Sequence, residues 1–327
     1  MTWVVTGGAG YIGAHVVQAF RDSGTDVVVI DDLSSGRAEF VPPDVPLVQV
    51  SILDTPTVAA TLREHAADGV VHLAAFKYAG VSVQRPLHTY MQNVVGTLSL
   101  LSAMEQAGVG SLVFSSSAAV YGTPDTDLVT EDTPTSPESP YGESKLIGEW
   151  LLADQARATA QSGTPLRHTS LRYFNVVGSG RVDLYDASPH NLFPLVLDAL
   201  AEGRTPGING EDYPTPDGTC VRDYIHVADL AQTHVAAARA LADGRPLERV
   251  YNLGSGEGVS VRQIMTTVSE VTGIAFTPEV GPRRPGDPAR IVASGDLAVR
   301  DLGWRMTHTL ADMVASAWTA QRTSQSR

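Results

Sequence analysis

A glycine-rich turn near the start of the chain constrains the fold more than any other feature. It lies between the apolar run Trp3-Val4-Val5 and a helical pattern over residues 14–21, and it reads Thr6-Gly7-Gly8-Ala9-Gly10-Tyr11-Ile12-Gly13. Glycine lets a backbone turn tightly and approach a pyrophosphate, whose charge is met by the free amides at the start of a helix. The order strand, glycine turn, helix therefore predicts a dinucleotide-binding βαβ unit.

A pair of acidic residues follows the next apolar run. Val27-Val28-Val29-Ile30 predicts a second strand that ends in Asp31-Asp32, about 20 residues beyond the glycines. A carboxylate at this point accepts a hydrogen bond from the 2′-hydroxyl of an adenosine ribose and repels a 2′-phosphate, so NAD is favoured over NADP. Arg37 is close enough in sequence to leave NADP open.

Apolar runs and helical patterns alternate through the first half of the chain. Further strands are predicted at 47–50, 69–73, 111–114 and 166–171, with helices near 57–65 and 87–106 and from Tyr141 onward. Such alternation predicts an α/β fold with a doubly wound parallel sheet, in which ligands lie beyond the carboxyl ends of the strands. One crevice is therefore expected to collect the residues at those ends, which are Gly7, Asp31, Leu73-Ala74-Ala75 and Ser115-Ser116-Ser117.

The character of the sequence changes after about Asn175, where Gly, Pro and Asn become frequent and the predicted elements shorten. We expect residues 1–175 to form a Rossmann domain that binds the dinucleotide, and residues 176–327 to form mainly a smaller substrate-binding region. The helical pattern 226–241 and the apolar run 250–253 are suited to return to the sheet, so a segment of about 223–254 is assigned to the first domain.

Tyr141 and Lys145 are the strongest candidates for chemistry. A turn-like segment, Ser136-Pro137-Glu138-Ser139-Pro140, precedes Tyr141, and a helix starting there places the two side chains one turn apart on one face. An ammonium beside a phenol favours the phenolate, so Tyr141 becomes a candidate base. Of the 23 Lys and Arg residues only Lys77 and Lys145 are lysine, so a Lys at this position has a specific purpose.

Composition narrows the partners. A net charge of −13 over 327 residues argues against nucleic acid and anionic membranes as general partners. Cys220 is the single cysteine, so neither a disulfide framework nor a thiolate metal site is expected, and a cytoplasmic location fits. No signal peptide, membrane-spanning run or metal-ligand spacing among the nine His is recognised, and no metal is predicted.

Taken together, the motifs resemble the extended short-chain dehydrogenase/reductase family, and within it the UDP-glucose (UDP-galactose) 4-epimerases. The similarity covers nearly the whole chain. The matching pieces are 6–13, Phe114-Ser-Ser-Ser-Ala-Ala-Val-Tyr-Gly122, Ser139-Pro-Tyr-Gly-Glu-Ser-Lys145, Arg172-Tyr-Phe-Asn175, Asp212-Tyr-Pro-Thr-Pro-Asp-Gly-Thr219, Val221-Arg-Asp-Tyr-Ile-His226 and Tyr251-Asn-Leu-Gly254.

The resemblance implies an NAD-dependent enzyme that interconverts UDP-glucose and UDP-galactose through a 4-keto sugar. It implies Tyr141 as base, Lys145 as the group that lowers its pKa and holds the nicotinamide ribose, and Ser117 as a partner of the sugar hydroxyl. It also implies a homodimer that pairs helices near 87–106 and 141–160. The implied cofactor-binding residues are Gly7, Gly10, Tyr11, Ile12, Gly13, Asp31, Asp32, Ser51, Ile52, Leu73, Ala74, Ala75, Lys77, Asn93, Ser115, Tyr141, Lys145 and Tyr173. The implied nucleotide-sugar-binding residues are Ser117, Tyr141, Asn175, Asn191, Leu192, Asn209, Arg222, Arg284, Asp287 and Arg290.

Several positions depart from the family pattern. Ser51 stands where an Asp usually contacts the adenine, and Asn209 replaces an aromatic residue that stacks on uracil, which leaves the nucleotide base open. Arg290 occupies a position tied to the size of the sugar, and its bulk favours plain hexoses over N-acetylated ones. The segment 176–188 is shorter than usual, which affects the sugar pocket.

Other functions share this scaffold. A nucleotide-sugar 4,6-dehydratase needs an Asp-Glu pair where this chain has Ala118-Ala119, and a methyl group cannot transfer a proton. A non-catalytic NAD-binding regulator would be expected to lose Tyr141 or Lys145. A 4-epimerase of another nucleotide-sugar, with a different base or a uronate or N-acetyl sugar, and an ordinary reductase stay open as alternatives.

Overall fold

A parallel sheet of seven strands forms the centre of the computed structural model, which describes residues 1–284 and 288–325. In chain order the sheet contains β1 (Thr2–Thr6), β2 (Asp26–Asp31), β3 (Leu47–Gln49), β4 (Gly69–His72), β5 (Ser111–Ser115), β6 (Arg167–Tyr173) and β11 (Val250–Leu253). The shorter strands outside it are β7 (Asn175–Val177), β8 (Gly207–Asn209), β9 (Val221–Arg222), β10 (Tyr224–His226), β12 (Val259–Ser260), β13 (Glu279–Gly281) and β14 (Arg290–Ile291).

The strand order of the main sheet is β11-β6-β5-β4-β1-β2-β3. The chain therefore starts in the middle, winds outward to β3, and then winds in the opposite direction from β4 to β11. All neighbours in this sheet are parallel, with Val4 opposite Val28 and Val70. The predicted doubly wound parallel sheet is confirmed.

Helices cover both faces of the sheet. They are α1 (Tyr11–Asp22), α2 (Thr55–Glu64), α3 (Ala79–Gln84), α4 (Pro86–Tyr90), α5 (Gly96–Ala107), α6 (Pro140–Thr159), α7 (Leu192–Ala201), α8 (Val227–Ala242), α9 (Val261–Thr272), α10 (Asp296–Leu302) and α11 (Leu310–Gln325). Alternate strand residues face opposite sides, so Val5 and Val29 pack with α1 and α8, whereas Val4 and Val28 pack with α2 and α5. Burial on both faces explains why these strands are continuous apolar runs.

The long helix predicted near 87–106 is interrupted. Pro86 lacks an N–H group and begins α4, so α3 ends at Gln84. Met91–Val95 then forms a π-helical turn before α5. Asn93 lies in that turn and bonds to the backbone of Phe76 from there, a constraint that periodicity does not reveal.

The later part of the chain packs a second core from α7, α9 and α11, including Phe193, Ile264 and Val314. Short strands connect it to the sheet side: β10 pairs with β7, β9 lies between β12 and β14, and β13 pairs with β8. Within residues 1–284 and 288–325, no helix combines the length and the apolar character that crossing a bilayer requires.

Candidate functional site

A crevice of about 730 Å³ opens at the carboxyl ends of the central strands, between the sheet and the later elements. It is lined on one side by residues at the ends of β2, β5 and β6 and just after β1 and β4, and on the other side by residues from α7, β8 and β9. Most predicted site residues line it: Gly7, Gly10, Tyr11, Ile12, Gly13, Asp31, Asp32, Ile52, Leu73, Ala74, Ala75, Lys77, Ser115, Ser117, Tyr141, Lys145, Tyr173, Asn175, Asn191, Leu192, Asn209, Arg222 and Arg284. The crevice predicted from the strand ends is therefore present.

The glycine turn forms a close-fitting floor for this crevice. A Cβ on Gly13 would lie 2.0 Å from the carbonyl oxygen of Gly7, and a Cβ on Gly7 would lie 2.7 Å from the amide nitrogen of Ala74. Gly7 also has a φ of +72°, a conformation that favours glycine. Gly10, which precedes α1, offers no side-chain cap, so the first amides of the helix keep their capacity to bind an anion.

Two acidic side chains line the crevice beyond the turn. The buried carboxylate of Asp31 accepts hydrogen bonds from the amides of Ala9, at 3.0 Å, and Leu33, at 2.9 Å. Burial raises the pKa of Asp31, and those two bonds act in the opposite direction. A carboxylate has about four lone-pair sites, so Asp31 keeps acceptor capacity for a ribose hydroxyl. Asp32 is exposed and accepts from the amide of Ser34 at 2.9 Å.

Tyr141 and Lys145 face the crevice from the start of α6. Ser139 caps this helix by accepting from the amide of Gly142 at 3.2 Å, and Pro140 occupies its first position. The Lys145 Nζ atom lies 5.9 Å from the centre of the Tyr141 ring and donates to the carbonyl oxygen of Ser115 at 2.8 Å. Both side chains thus reach the end of β5.

The ionisation of Tyr141 depends on its burial. Burial raises the pKa of Tyr141, and a hydrogen bond with Ser117 acts in the opposite direction. The Lys145 ammonium is engaged with a backbone carbonyl, and burial lowers the pKa of Lys145 to about 8. For the groups of the chain itself, desolvation outweighs the Ser117 hydrogen bond, so the pKa of Tyr141 lies above its usual value, and a lowering of that pKa by Lys145 stays a prediction.

Polar side chains on the opposite wall are held by hydrogen bonds to a neighbouring side chain or to backbone carbonyl oxygens. Asn191 Nδ2 donates to Asp186 at 2.7 Å, and Asn175 Nδ2 donates to the carbonyl oxygen of Asp223 at 3.1 Å. Arg222 Nη1 donates to the carbonyl oxygens of Val221 at 2.9 Å and Pro288 at 2.7 Å, which orients its guanidinium. Asn175 lies on β7, Arg222 lies on β9 and Asn191 precedes α7, so a ligand that contacts all three would join these parts of the chain.

Three predicted residues do not line the crevice. Asn93 is buried behind it, where its amide donates to Phe76 and Ser144 and accepts from the amide of Phe76. Ser51 holds its own turn by accepting from the amide of Leu53. Arg290 passes beside Gly258, where its Nη1 atom would lie 3.1 Å from a Cβ at that position. The ligand contacts predicted for these three residues therefore stay predictions, and Asp287 lies outside the described residues.

Sequence reasoning missed several side chains that line the crevice, among them Tyr78, Arg85, His88, Asp186 and His190. The rings of Tyr78 and His190 meet edge to face with their centres 4.9 Å apart, across the mouth of the crevice. In the sequence, Tyr78 and His190 are marked only by being adjacent to the predicted site residues Lys77 and Asn191. In the described ranges, no group of three or more His, Cys, Asp or Glu side chains is suited to hold a metal ion.

Known proteins with similar sequences and structures identify the family of this chain. A sequence model of the NAD dependent epimerase/dehydratase family matches residues 3–254. The UDP-glucose 4-epimerase of Corynebacterium glutamicum is 44% identical over 97% of this chain and 95% of that protein. The UDP-glucose 4-epimerase of Stenotrophomonas maltophila, solved with NAD and formylated UDP-arabinopyranose, superposes with a TM-score of 0.94 at 41% identity, covering 100% of this chain and 99% of its own.

A Brucella ovis UDP-glucose 4-epimerase solved with NAD gives a TM-score of 0.91 at 37% identity over 97% of both chains. The floor that only glycine fits, the open amides of α1 and the acceptor Asp31 suit the pyrophosphate and ribose of NAD. The chain belongs to the NAD dependent epimerase/dehydratase family, and within it to the UDP-glucose 4-epimerases.

Proposed function

We propose that this protein is an NAD-dependent 4-epimerase that interconverts UDP-glucose and UDP-galactose through a transient 4-keto sugar. The observation that carries this proposal is that Tyr141, Lys145 and Ser117 converge at the end of β5, in the same crevice as the glycine turn. A proton-transferring phenol beside a nicotinamide site is what reversible oxidation of a sugar alcohol requires. The same proposal places the enzyme in galactose metabolism in the cytoplasm.

Tyr141 would take the proton of the sugar's 4-hydroxyl and later return it to the 4-keto oxygen. When bound, NAD would supply the acceptor for the hydride of carbon 4 and the donor that returns it to the other face of the sugar. Because burial raises the pKa of Tyr141, the phenolate needs positive charge nearby, which the Lys145 ammonium and an oxidised nicotinamide provide. Ser117, which forms a hydrogen bond with the phenol of Tyr141, would also orient the 4-hydroxyl of the sugar.

The opposite wall would hold the nucleotide while the sugar turns. Arg222 and Arg284 are positively charged and line the crevice, so they suit a diphosphate, and Asn175 and Asn191 suit the sugar. Tight binding of the nucleotide and weak binding of the sugar would let either face of carbon 4 approach the same hydride acceptor. We therefore assign residues 1–175, with about 223–254, to the cofactor, and 176–327 mainly to the nucleotide-sugar.

The alternatives are less well supported. Dehydration across carbons 5 and 6 needs a second acid and base, whereas the turn after Ser117 carries the methyl side chains of Ala118 and Ala119. A non-catalytic regulator has no need of the Tyr141–Lys145 pair, and a reductase must release its cofactor in each cycle. NAD that stays bound through purification would therefore distinguish an epimerase from a reductase.

The test is to incubate the purified protein, without added cofactor, with UDP-glucose, UDP-galactose, their N-acetyl and uronate analogues, and dTDP- or GDP-hexoses. We expect conversion of the UDP-hexoses. Tyr141→Phe should retain bound NAD and lose roughly 10²- to 10⁴-fold in kcat, the usual contribution of a general base. Full turnover by Tyr141→Phe would exclude the phenol from the reaction.

We also propose a homodimer. An apolar stripe follows α3 to α6 on the outer surface, where Leu87 is 84% exposed and Val83, Met91, Leu98 and Trp150 are also exposed. Exposed apolar patches of this kind mark protein interfaces. Leu87→Lys should shift sedimentation from dimer to monomer, whereas Val299→Lys, at an exposed apolar position on α10, should not. A wild-type monomer, or an unchanged dimer in Leu87→Lys, would contradict this interface.

A further inference from the structure

A buried ion pair lies directly behind the Tyr141–Lys145 pair. Glu149 is one helical turn beyond Lys145 on α6 and is only 6% exposed. Its carboxylate accepts from Arg172 Nε at 2.9 Å and Nη2 at 2.6 Å, in a two-pronged ion pair. Desolvating two charges is costly, so a buried pair in this position needs a reason beyond stability.

Glu149 also holds the end of β5. Its Oε1 accepts from the hydroxyl of Ser116 at 2.5 Å, and Ser116 is completely buried. The residue before Ser116 supplies the carbonyl oxygen that binds Lys145, and the residue after it bonds to Tyr141. One carboxylate thus fixes the segment that contacts both members of the proposed pair.

The charge of Glu149 acts on Lys145 as well. Lys145 is 5% exposed, and burial lowers its pKa to about 8 while the neighbouring Glu149 carboxylate raises it. The other titratable groups around it are Tyr141 on α6, Tyr173 and Arg172 on β6, and His72 on β4. Burial raises the pKa of both tyrosines and lowers that of His72 to about 3, so these three are neutral, and Arg172 is paired with Glu149.

We propose that Glu149 is a positioning residue for the reaction: it fixes the strand end that orients Tyr141 and Lys145, and its negative charge keeps the Lys145 ammonium protonated. This inference rests on the proposed role of the Tyr141–Lys145 pair. It gives the buried ion pair a purpose, since Arg172 holds the carboxylate in place without removing its influence on Lys145.

The chain has only two lysines, which makes a direct measurement practical. Protein labelled with ¹³C at the lysine ε-carbon should give two resonances, and Lys77→Arg assigns them. The titration midpoint of Lys145 is then followed by NMR in wild type, Glu149→Gln and Arg172→Gln. Lys77 is exposed and serves as an internal control whose midpoint should stay fixed.

The two variants break the same ion pair but change the charge near Lys145 in opposite directions. Glu149→Gln should lower the Lys145 midpoint by about one pH unit, the effect of losing one adjacent opposite charge. Arg172→Gln should leave the midpoint at or above that of wild type. An unchanged midpoint in Glu149→Gln, or an equal fall in both variants, would overturn the proposal. If Glu149→Gln does not fold, Arg172→Gln decides alone, because a midpoint below wild type contradicts the proposal.

Ser116→Ala separates the positioning role from the charge. It removes the hydroxyl that bonds to Glu149 and leaves the carboxylate, so kcat should fall while the Lys145 midpoint stays at the wild-type value. Unaltered kcat would overturn the positioning role. The NMR titration does not depend on turnover, so it tests the effect of Glu149 on Lys145 separately from the proposed function. Failure of the proposed function would show instead as full activity in Tyr141→Phe.

Discussion

The two walls of the crevice are built in different ways. On the sheet side, the cofactor cradle is backbone: the approach of Gly13 to Gly7 leaves no room for a Cβ, and the strands behind it are buried on both faces. On the opposite side, the contacts are side chains on short elements. Asn191 bonds to Asp186, and Arg222 bonds to the carbonyl oxygens of Val221 and Pro288.

This difference matches what each ligand must do. A cofactor retained through every cycle benefits from a rigid site that is complete before binding, since little order is lost on binding. A substrate that enters, turns and leaves needs groups that can exchange one partner for another. Changes to the sheet side should therefore alter retention of the cofactor, and changes to the opposite side should alter the apparent affinity for substrate.

The largest effect is expected at Gly13. In Gly13→Ala the new Cβ would lie 2.0 Å from the Gly7 carbonyl oxygen. Relieving this clash should displace the turn and cost about 3 kcal/mol of NAD binding free energy, which weakens NAD retention by roughly a hundredfold. The NAD released per chain on denaturing the purified protein measures this. Gly163→Ala is the matched control, because no atom lies within 4 Å of its Cβ position. Equal NAD content in both variants would show that the turn is not the cradle.

A smaller effect is expected at Arg222. Arg222→Met keeps the length of the side chain but removes its charge, and a hydrogen bond to a charged group contributes about 1.5–3 kcal/mol. We expect KM for the UDP-hexose to rise roughly tenfold to a hundredfold with little change in kcat or bound NAD. Arg204→Met, on an exposed arginine paired with Glu202, should leave the kinetics unchanged. A loss of NAD in Arg222→Met would break the contrast between the two walls.

The last prediction concerns the acid stability of the sheet side. Burial lowers the pKa of His234 to about 4, so the unfolded chain takes up a proton near pH 6.5 while the folded chain does not. Stability is therefore lost as the pH falls from 6.5 towards 4, by about 1.4 kcal/mol per pH unit for this residue. Urea unfolding between pH 7 and 4.5 should show a shallower decline in His234→Leu than in wild type. Identical slopes would mean that His234 does not carry this sensitivity.

Sequence reasoning reached the sheet side almost completely. Strands buried on both faces, glycines at a turn and an acid at the next strand end are local signals, so the sequence alone predicts Gly7, Gly13 and Asp31 as site residues. Tyr141 and Lys145 were found because their spacing places them on one helix face.

The remainder depends on contacts between distant segments. Asn93 and Arg290 were predicted to bind ligands, yet Asn93 bonds to the backbone of Phe76 and neither side chain lines the crevice. Tyr78 and His190 contact each other although they are far apart in the sequence, and no spacing rule connects them. The pKa of Tyr141 likewise depends on how deeply its phenol is buried, which the Tyr-x-x-x-Lys pattern does not specify.

The central claim is that one crevice reverses the configuration at carbon 4 without releasing cofactor or sugar. The most direct test is to convert UDP-glucose carrying deuterium at carbon 4 in ordinary water, with no added NAD, and to analyse the product by mass spectrometry and NMR. The account predicts UDP-galactose that retains the deuterium at carbon 4. Deuterium lost to water, or a requirement for free NAD, would contradict it.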